Sequence, residues 1–212
     1  YAMHMPSPNT VAPAQGLYQP DEFKDNCGFG LIAHMQGDAS HDLVKTAMHS
    51  LSCMTHRGGI AADGKTGDGC GLLLAMPKQF FREEAKKLSD ITLSEVFAVG
   101  TVFLSLDPAI AAHAKQILTK EIESEGCRVL AWRVVPTNND ALGSIAMQSL
   151  PAFEQIIVNC PMGVSEVEFN RKLFLARRRA EQQLTNDSSF YVTTLCSTVI
   201  SYKGLMMPEA IA

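Results

Sequence analysis

Residues 27–34 read CGFGLIAH, and the prediction of the fold starts from this stretch. The thiol of Cys27 begins an apolar run, while Gly28 and Gly30 remove side chains from the backbone around it. A polar Asp-Asn pair stands directly before the run. A short apolar run that follows a polar pair is typical of a buried strand, and we predict one over residues 28–34.

Two glycine-containing stretches follow, HRGG at residues 56–59 and ADGKTGDGCG at residues 62–71. Their glycines predict tight turns and close approach of backbone segments. The second stretch does not have the order G-x-x-x-x-G-K-S/T of a phosphate-binding loop, and it leads into an apolar strand rather than a helix. We therefore reject a nucleotide-binding loop.

Apolar spacing and capping residues predict several helices along the rest of the chain. Ser40 is expected to begin one, Asp107-Pro108 another that ends at Gly126, and Ser165 with Glu168 a third through a capping box. The predicted helices span about 40–55, a short stretch after Pro77, 108–125, 142–149 and 165–184. The further predicted strands are 72–76, 96–104, 128–135, 154–158, 190–195 and 198–202. The last two strands are predicted to form a closing hairpin, and the mixed order indicates an α+β fold.

Composition excludes several classes of function. The 212 residues are 46% apolar and 19% charged, which suits one globular domain. A net charge of −4 argues against nucleic acid or an anionic membrane as the main partner. No apolar run approaches the roughly 20 residues that span a bilayer, and no secretory signal is recognisable. A cluster of basic residues near the C-terminus is expected to be a solvated helix face or a contact with another part of a larger enzyme: Arg171, Lys172, Arg177, Arg178 and Arg179.

Six cysteines lie far apart, with no C-x-x-C pair and no histidine pair at metal-binding spacing. We therefore expect no metal site in this segment. Apart from Cys27, most of the cysteines are expected to be small buried hydrophobic residues in a reducing cytoplasm. Trp132, the single tryptophan, is expected in the core on a strand.

The three motifs at 27–34, 56–59 and 62–71, in this order, resemble the start of the class II glutamine amidotransferase domain of bacterial glutamate synthase large subunits. The resemblance covers about residues 16–208. It implies an N-terminal-nucleophile hydrolase fold, an αββα sandwich of which the front half is expected here. The partial domain would span residues 27–212.

In that family the cysteine matching Cys27 is the first residue of the mature chain and attacks the side-chain amide of glutamine. The resemblance implies a site-shaping role for Arg57, which could otherwise only stabilise the end of the preceding helix. It places the loop of Asp68 beside the nucleophile strand, although an aspartate that only stabilises a turn fits the residues equally well. Gly28, Gly58 and Gly69 are the remaining candidate site residues.

Residues 1–20 hold four prolines and few charges, and we expect residues 1–26 to be a leader that is removed before Cys27. Residues 1–5 are consistent with a vector-derived scar. Removal would give Cys27 a free α-amine, whose pKa of about 7.7–8.0 suits a general base at neutral pH.

The resemblance implies L-glutamine as substrate, FMN and an iron–sulfur cluster elsewhere in the full-length enzyme, and none of these cofactors in this segment. The expected partners are the rest of the large subunit and a small electron-donating subunit. The family's Arg-Phe-Ser-Thr-Asn and Asn-Gly-Glu motifs do not occur here. The chain alone is therefore expected to lack useful activity and to form a homodimer through exposed strand edges. Two alternatives stay open: a non-catalytic remnant of the fold, and the amidotransferase domain of another synthase.

Overall fold

The computed structural model describes residues 28–55 and 59–211, so the leader, Cys27, Arg57 and Gly58 lie outside the described residues. The helices of the described part are α1 (His41–Ser52), α2 (Lys78–Ser89), α3 (Pro108–Ser124), α4 (Ser144–Met147) and α5 (Glu166–Gln183), with short 3₁₀ helices at Asn139–Ala141 and Pro208–Ile211. The strands are β1 (Cys70–Ala75), β2 (Phe97–Leu104), β3 (Arg128–Val134), β4 (Ala152–Asn159), β5 (Tyr191–Cys196) and β6 (Val199–Gly204).

The strands form two antiparallel sheets. The larger sheet has the order β3-β4-β2-β5, and the smaller sheet pairs β1 with β6. Helices and antiparallel sheets are therefore both present, which confirms the predicted α+β class.

Both faces of the central strand β2 are covered. Its sequence is therefore an almost unbroken apolar run. On one face, Ala98, Val102 and Leu104 pack with α3 and α5. The buried residues of the two helices are Ala111, Ala114, Leu118 and Ile122 on α3 and Phe169, Leu173, Ala176 and Ala180 on α5.

The opposite face of the large sheet carries the second core. Phe97 and Val99 of β2 pack there with Ile200 of β6 and with Phe81 of α2. The smaller sheet thus lies against the larger one, and α1 lies against β1 and the 3₁₀ helix Pro208–Ile211. This order brings the glycine-rich stretch before β1 close to the end of β6.

The predicted helix starts are confirmed. The Ser40 hydroxyl accepts from the Leu43 N–H, the Asp107 carboxylate accepts from Ala109 and Ile110, and Ser165 accepts from Glu168. The second half of the predicted capping box, a hydrogen bond from the Ser165 N–H to the Glu168 side chain, is wrong. The Glu168 carboxylate binds the Arg171 guanidinium instead.

The predicted buried strand at residues 28–34 is wrong. No strand is assigned there, and the side chains of Phe29 and Leu31 are 91% and 89% exposed. An apolar run becomes a buried strand only when another strand binds its backbone and other side chains cover it. No strand within the described residues does so for this run.

The predicted closing hairpin is also wrong, since β5 pairs with β2 and β6 pairs with β1. The chain passes from one sheet to the other at Ser197, which is fully buried. Its N–H donates to the Asn170 side chain at 2.9 Å, and its hydroxyl donates to Glu166 at 2.8 Å. Helix α5 therefore holds the crossing point between the two sheets.

The basic residues of α5 are occupied by local ion pairs. Arg171 binds Glu168, Arg177 and Arg178 bind Glu181, and Lys172 and Arg179 bind Glu125 at the end of α3. These contacts fit the solvated helix face expected for the cluster. Trp132 lies on β3 as predicted, half-buried against the α3–α5 core, with its indole N–H donating to Thr119 at 3.2 Å.

Candidate functional site

Residues 59–68, here called the glycine hairpin, connect the end of the α1 region to β1. An isolated antiparallel bridge joins Ile60 to Gly67, and the Ala61 N–H donates to the Thr66 carbonyl at 2.9 Å. The turn contains Gly64 at a φ of +70°, a conformation that residues with a Cβ rarely adopt. The stretch is therefore a folded turn, as its glycines predict.

Asp68 closes the base of the glycine hairpin. Its carboxylate accepts from the Gly59 N–H at 2.6 Å, and Gly59 is two positions beyond Arg57. A Cβ at Gly59 would lie 2.8 Å from the carboxylate, so a larger residue here would displace the Asp68 side chain. Of the predicted site residues, the structure thus connects Asp68 to the chain that immediately follows Arg57 and Gly58.

Gly69 and Gly28 are the other predicted site residues within the described part. Gly69 has a φ of +113° and turns the chain into β1. Gly28 is exposed, and the structure assigns it no strand. Gly69 is thus next to the base of the glycine hairpin, whereas Gly28 belongs to the exposed apolar run.

The smaller sheet approaches the glycine hairpin closely. A Cβ at Gly67 would lie 2.7 Å from the Met206 carbonyl oxygen, and one at Gly71 would lie 2.8 Å from the Tyr202 carbonyl oxygen. The Thr55 hydroxyl at the end of α1 donates to Glu209 in the last 3₁₀ helix. The end of β6 and the residues after it therefore lie against both ends of the 55–69 region.

Asp63 was not among the predicted site residues, yet four hydrogen bonds converge on its carboxylate. Its carboxylate accepts from the Ile145 N–H at 2.9 Å, the Thr66 hydroxyl at 2.6 Å, the Thr66 N–H at 2.8 Å and the Lys65 N–H at 3.1 Å. These donors, with Ile145 contributing most, hold the pKa of the Asp63 carboxyl well below its usual range. The order Asp-Gly-Lys-Thr is a signal for the local turn. It contains nothing that points to Ile145.

The described thiols differ from the expectation that most of them are buried. Cys127 is buried, Cys53 is exposed, and Cys70, Cys160 and Cys196 lie between, with no disulfide among these five. Cys53 ends α1 on its solvent side, where helix periodicity places a side chain outside the core.

Burial makes three of these thiols poor nucleophiles. It raises the pKa of Cys127 to about 11 and also raises the pKa of Cys70, where the Glu209 carboxylate adds to the effect. The pKa of Cys160 is also raised, by burial and by the Glu166 carboxylate. The thiolate is the attacking form, so these side chains are mostly unreactive at neutral pH.

Within the described residues, no three histidine, cysteine or carboxylate side chains come together as a metal site. No helix of that part combines the length and apolar character that crossing a membrane requires.

Comparison with known families identifies the domain. The family described as glutamine amidotransferases class-II matches residues 27–212. The chain belongs to this family. The resemblance inferred from the motifs is confirmed, and the match of this class-II amidotransferase begins at Cys27.

Glutamate synthases are among its curated relatives. It is 38% identical over 205 residues to the NADPH glutamate synthase large chain of Bacillus subtilis, covering 96% of this chain and 13% of the relative. It is 36% identical over 198 residues to the NADPH glutamate synthase large chain of Azospirillum brasilense, covering 91% and 13%. It is 38% identical over 189 residues to ferredoxin-dependent glutamate synthase 2 of a Synechocystis strain, covering 87% and 12%. The amidotransferase chain thus spans about an eighth of the length of these relatives.

Proposed function

We propose that this chain is the glutaminase part of a glutamate synthase large subunit, with Cys27 as its nucleophile. The Cys27 thiolate attacks the side-chain amide carbon of L-glutamine, and ammonia leaves with the proton that the thiol gave up. Water then hydrolyses the γ-glutamyl thioester to glutamate and restores the thiol. This is nucleophilic catalysis, in which one difficult hydrolysis is divided into two easier steps.

The proton acceptor in this proposal is the α-amine of Cys27 itself. The amine exists only after the bond between Asn26 and Cys27 is cut, so we propose that residues 1–26 are a removable leader. The start of the family match at Cys27 is the observation that carries the assignment. The raised thiol pKa values of Cys70, Cys127 and Cys160 support it, because they make these cysteines weak competitors for the role.

The residues around the glycine hairpin are proposed to shape the pocket. The role proposed for Arg57 rests on the family resemblance, and Asp68 accepts from the N–H of Gly59, two positions further along the chain. Gly28, Gly58 and Gly69 allow backbone segments to approach the substrate.

The ammonia is proposed to be used by a second site of the full-length enzyme, which makes glutamate from 2-oxoglutarate. We assign the iron–sulfur cluster and FMN to the rest of the large subunit, because the resemblance of this chain is to the amidotransferase part. Electrons would be supplied by a small partner subunit.

We also propose an architecture for the domain and a cellular location for the protein. The α3–α5 layer, the two stacked sheets and α1 support the front half of an αββα sandwich. The unbridged described cysteines are compatible with a cytoplasmic location. The glutamate synthase relatives favour this synthase over another amide-transferring one.

The decisive experiment compares two nitrogen sources in the full-length enzyme. Cys27→Ala is expected to abolish glutamate formation from glutamine plus 2-oxoglutarate, while formation from ammonium chloride plus 2-oxoglutarate continues. The matched control is Cys53→Ala, which removes an exposed thiol and is expected to preserve both rates. Intact mass should show a wild-type chain that starts at Cys27.

Continued use of glutamine by the Cys27→Ala enzyme would refute the nucleophile. A retained leader on an active preparation would refute the amine base. We also propose that the 212-residue chain alone has no useful glutaminase activity, because it lacks the Arg-Phe-Ser-Thr-Asn and Asn-Gly-Glu motifs. It is proposed to self-associate, and the exposed apolar run after Cys27 supports this. A monomer in light scattering that releases ammonia at ordinary enzymatic rates would contradict this.

A further inference from the structure

A contact between distant parts of the chain fastens the tip of the glycine hairpin. Two backbone donors at the start of α4 point into it: the Ile145 N–H donates to Asp63 at 2.9 Å, and the Ala146 N–H donates to the Thr66 hydroxyl at 3.1 Å. The same hydroxyl donates to Asp63 at 2.6 Å, and Thr66 is buried. A Cβ at Gly143 would overlap both side chains, so only glycine leaves room for the contact.

Capping of α4 alone does not explain the contact between α4 and the glycine hairpin. The helix has four residues, of which Ala146 alone is buried, while Ile145 and Met147 are each 43% exposed. A serine or aspartate at position 143 would cap so short a helix locally. Gly143 instead provides no side-chain cap and admits the side chains of the hairpin. The contact therefore serves the placement of the glycine hairpin.

Two contacts connect the tip of the glycine hairpin to its base. The bridge between Ile60 and Gly67 holds its two arms together, and the bond from Gly59 to Asp68 closes the base. Fixing the tip thus also fixes the position of Gly59, the described residue that follows Arg57 and Gly58 in sequence.

We propose that Asp63 and Thr66 are positioning residues of the amidotransferase site, which act by docking the glycine hairpin on α4. The inference rests on the proposed function, because it assumes that the chain next to Gly59 and Asp68 lines the glutamine pocket. Neither Asp63 nor Thr66 is proposed to touch substrate.

The test uses the full-length enzyme and the same two nitrogen sources. Thr66→Val removes the hydroxyl and keeps the shape of the side chain, whereas Thr66→Ser keeps the hydroxyl. Asp63→Ala removes the carboxylate. The matched control is Asp107→Ala, which removes an aspartate that caps α3 on the far side of the large sheet.

Misplacing reacting groups by about 1 Å costs up to about 100-fold in rate. We expect Asp63→Ala and Thr66→Val to lower the glutamine-driven kcat by about 10- to 100-fold, with the ammonia-driven rate kept within about twofold. Thr66→Ser and Asp107→Ala are expected to keep both rates.

An equal fall in the glutamine-driven and ammonia-driven rates would overturn the proposal, because the contact would then only stabilise the fold. Unchanged glutamine-driven kcat in Thr66→Val would overturn it as well, and this isosteric variant decides the matter if Asp63→Ala does not fold. Failure of the proposed function is recognised separately, by Cys27→Ala that still uses glutamine.

Discussion

Gly100 lies in the middle of β2, at the centre of the large sheet, and replacing it with alanine tests how closely the sheet packs. It is buried, and a Cβ there would lie 2.8 Å from Leu195 Cδ1, 2.9 Å from Ile156 Cγ2 and 3.1 Å from the Thr194 carbonyl oxygen. The two side chains belong to the core formed with α3 and α5. Neither can move away without disturbing that core.

The expected loss follows from these contacts. Inserting a methyl group into a packed core costs about 1–3 kcal/mol. Alanine also lowers the backbone entropy of the unfolded chain, which stabilises the folded state by about 0.5–1 kcal/mol. We therefore expect Gly100→Ala to lower the free energy of unfolding by about 1–2 kcal/mol. With a urea slope of about 2 kcal/mol per molar, the midpoint falls by about 0.5–1 M.

Urea unfolding followed by the fluorescence of the single tryptophan, Trp132 on β3, measures this change. Gly30→Ala is the matched control, because a Cβ there meets nothing within 4 Å, and its stability should stay within about 0.5 kcal/mol. A Gly100→Ala chain with the wild-type midpoint and slope would refute the close packing. A second variant, Gly100→Ala with Leu195→Ala, should lose less than the sum of the two single changes.

Three further predictions concern the polar contacts. Thr101→Val should lower stability by about 1–2 kcal/mol in urea unfolding, because the buried hydroxyl binds the Ser201 carbonyl of the other sheet at 2.9 Å. Thr101→Ser should lose less, and an unchanged midpoint for valine would contradict the link. Glu84 and Arg133, 17% and 11% exposed and 2.7 Å apart, should show a coupling energy of about 0.5–3 kcal/mol in a double-mutant cycle, and additivity would contradict the pair. The lowered pKa of Asp63 stabilises the fold above the unfolded pKa of about 3.9, and this contribution is lost as the pH falls toward the folded value. Unfolding of Asp63→Asn should therefore depend less on pH below about 4 than that of the wild type, and equal acid sensitivity would refute the reasoning.

Local sequence was enough for the helices and for most strand positions. Ser40, Asp107 and Ser165 begin helices because their side chains reach backbone N–H groups two or three residues further on. Such contacts need only the neighbouring chain, so they are visible in the order of residues. The motif at 62–71 likewise predicts its own turns, and the bond from the Gly59 N–H to Asp68 fits the alternative that this aspartate stabilises a turn.

Strand pairing and the burial of side chains could not be predicted from local sequence. The segments of β5 and β6 follow one another and look like a hairpin, yet Ser197 is bound by Asn170 and Glu166 of α5 at the point where the chain changes sheets. The apolar run at 28–34 has the composition of a strand, but no described strand pairs with it. Composition states which side chains prefer burial, whereas only the neighbours in space supply the partners.

The amino-acid sequence by itself determined the class-II amidotransferase family, the capped helix starts and Cys27 as the candidate nucleophile, because each depends on residues close together in the chain. The tertiary structure alone decided that Asp63 and Thr66 meet the N–H groups of Ile145 and Ala146, about 80 positions away. It also decided that the last two strands separate into different sheets. The physical reason is that closing a long loop carries an entropic cost which only cooperative packing of both sheets and their helices offsets, and no local pattern records that balance.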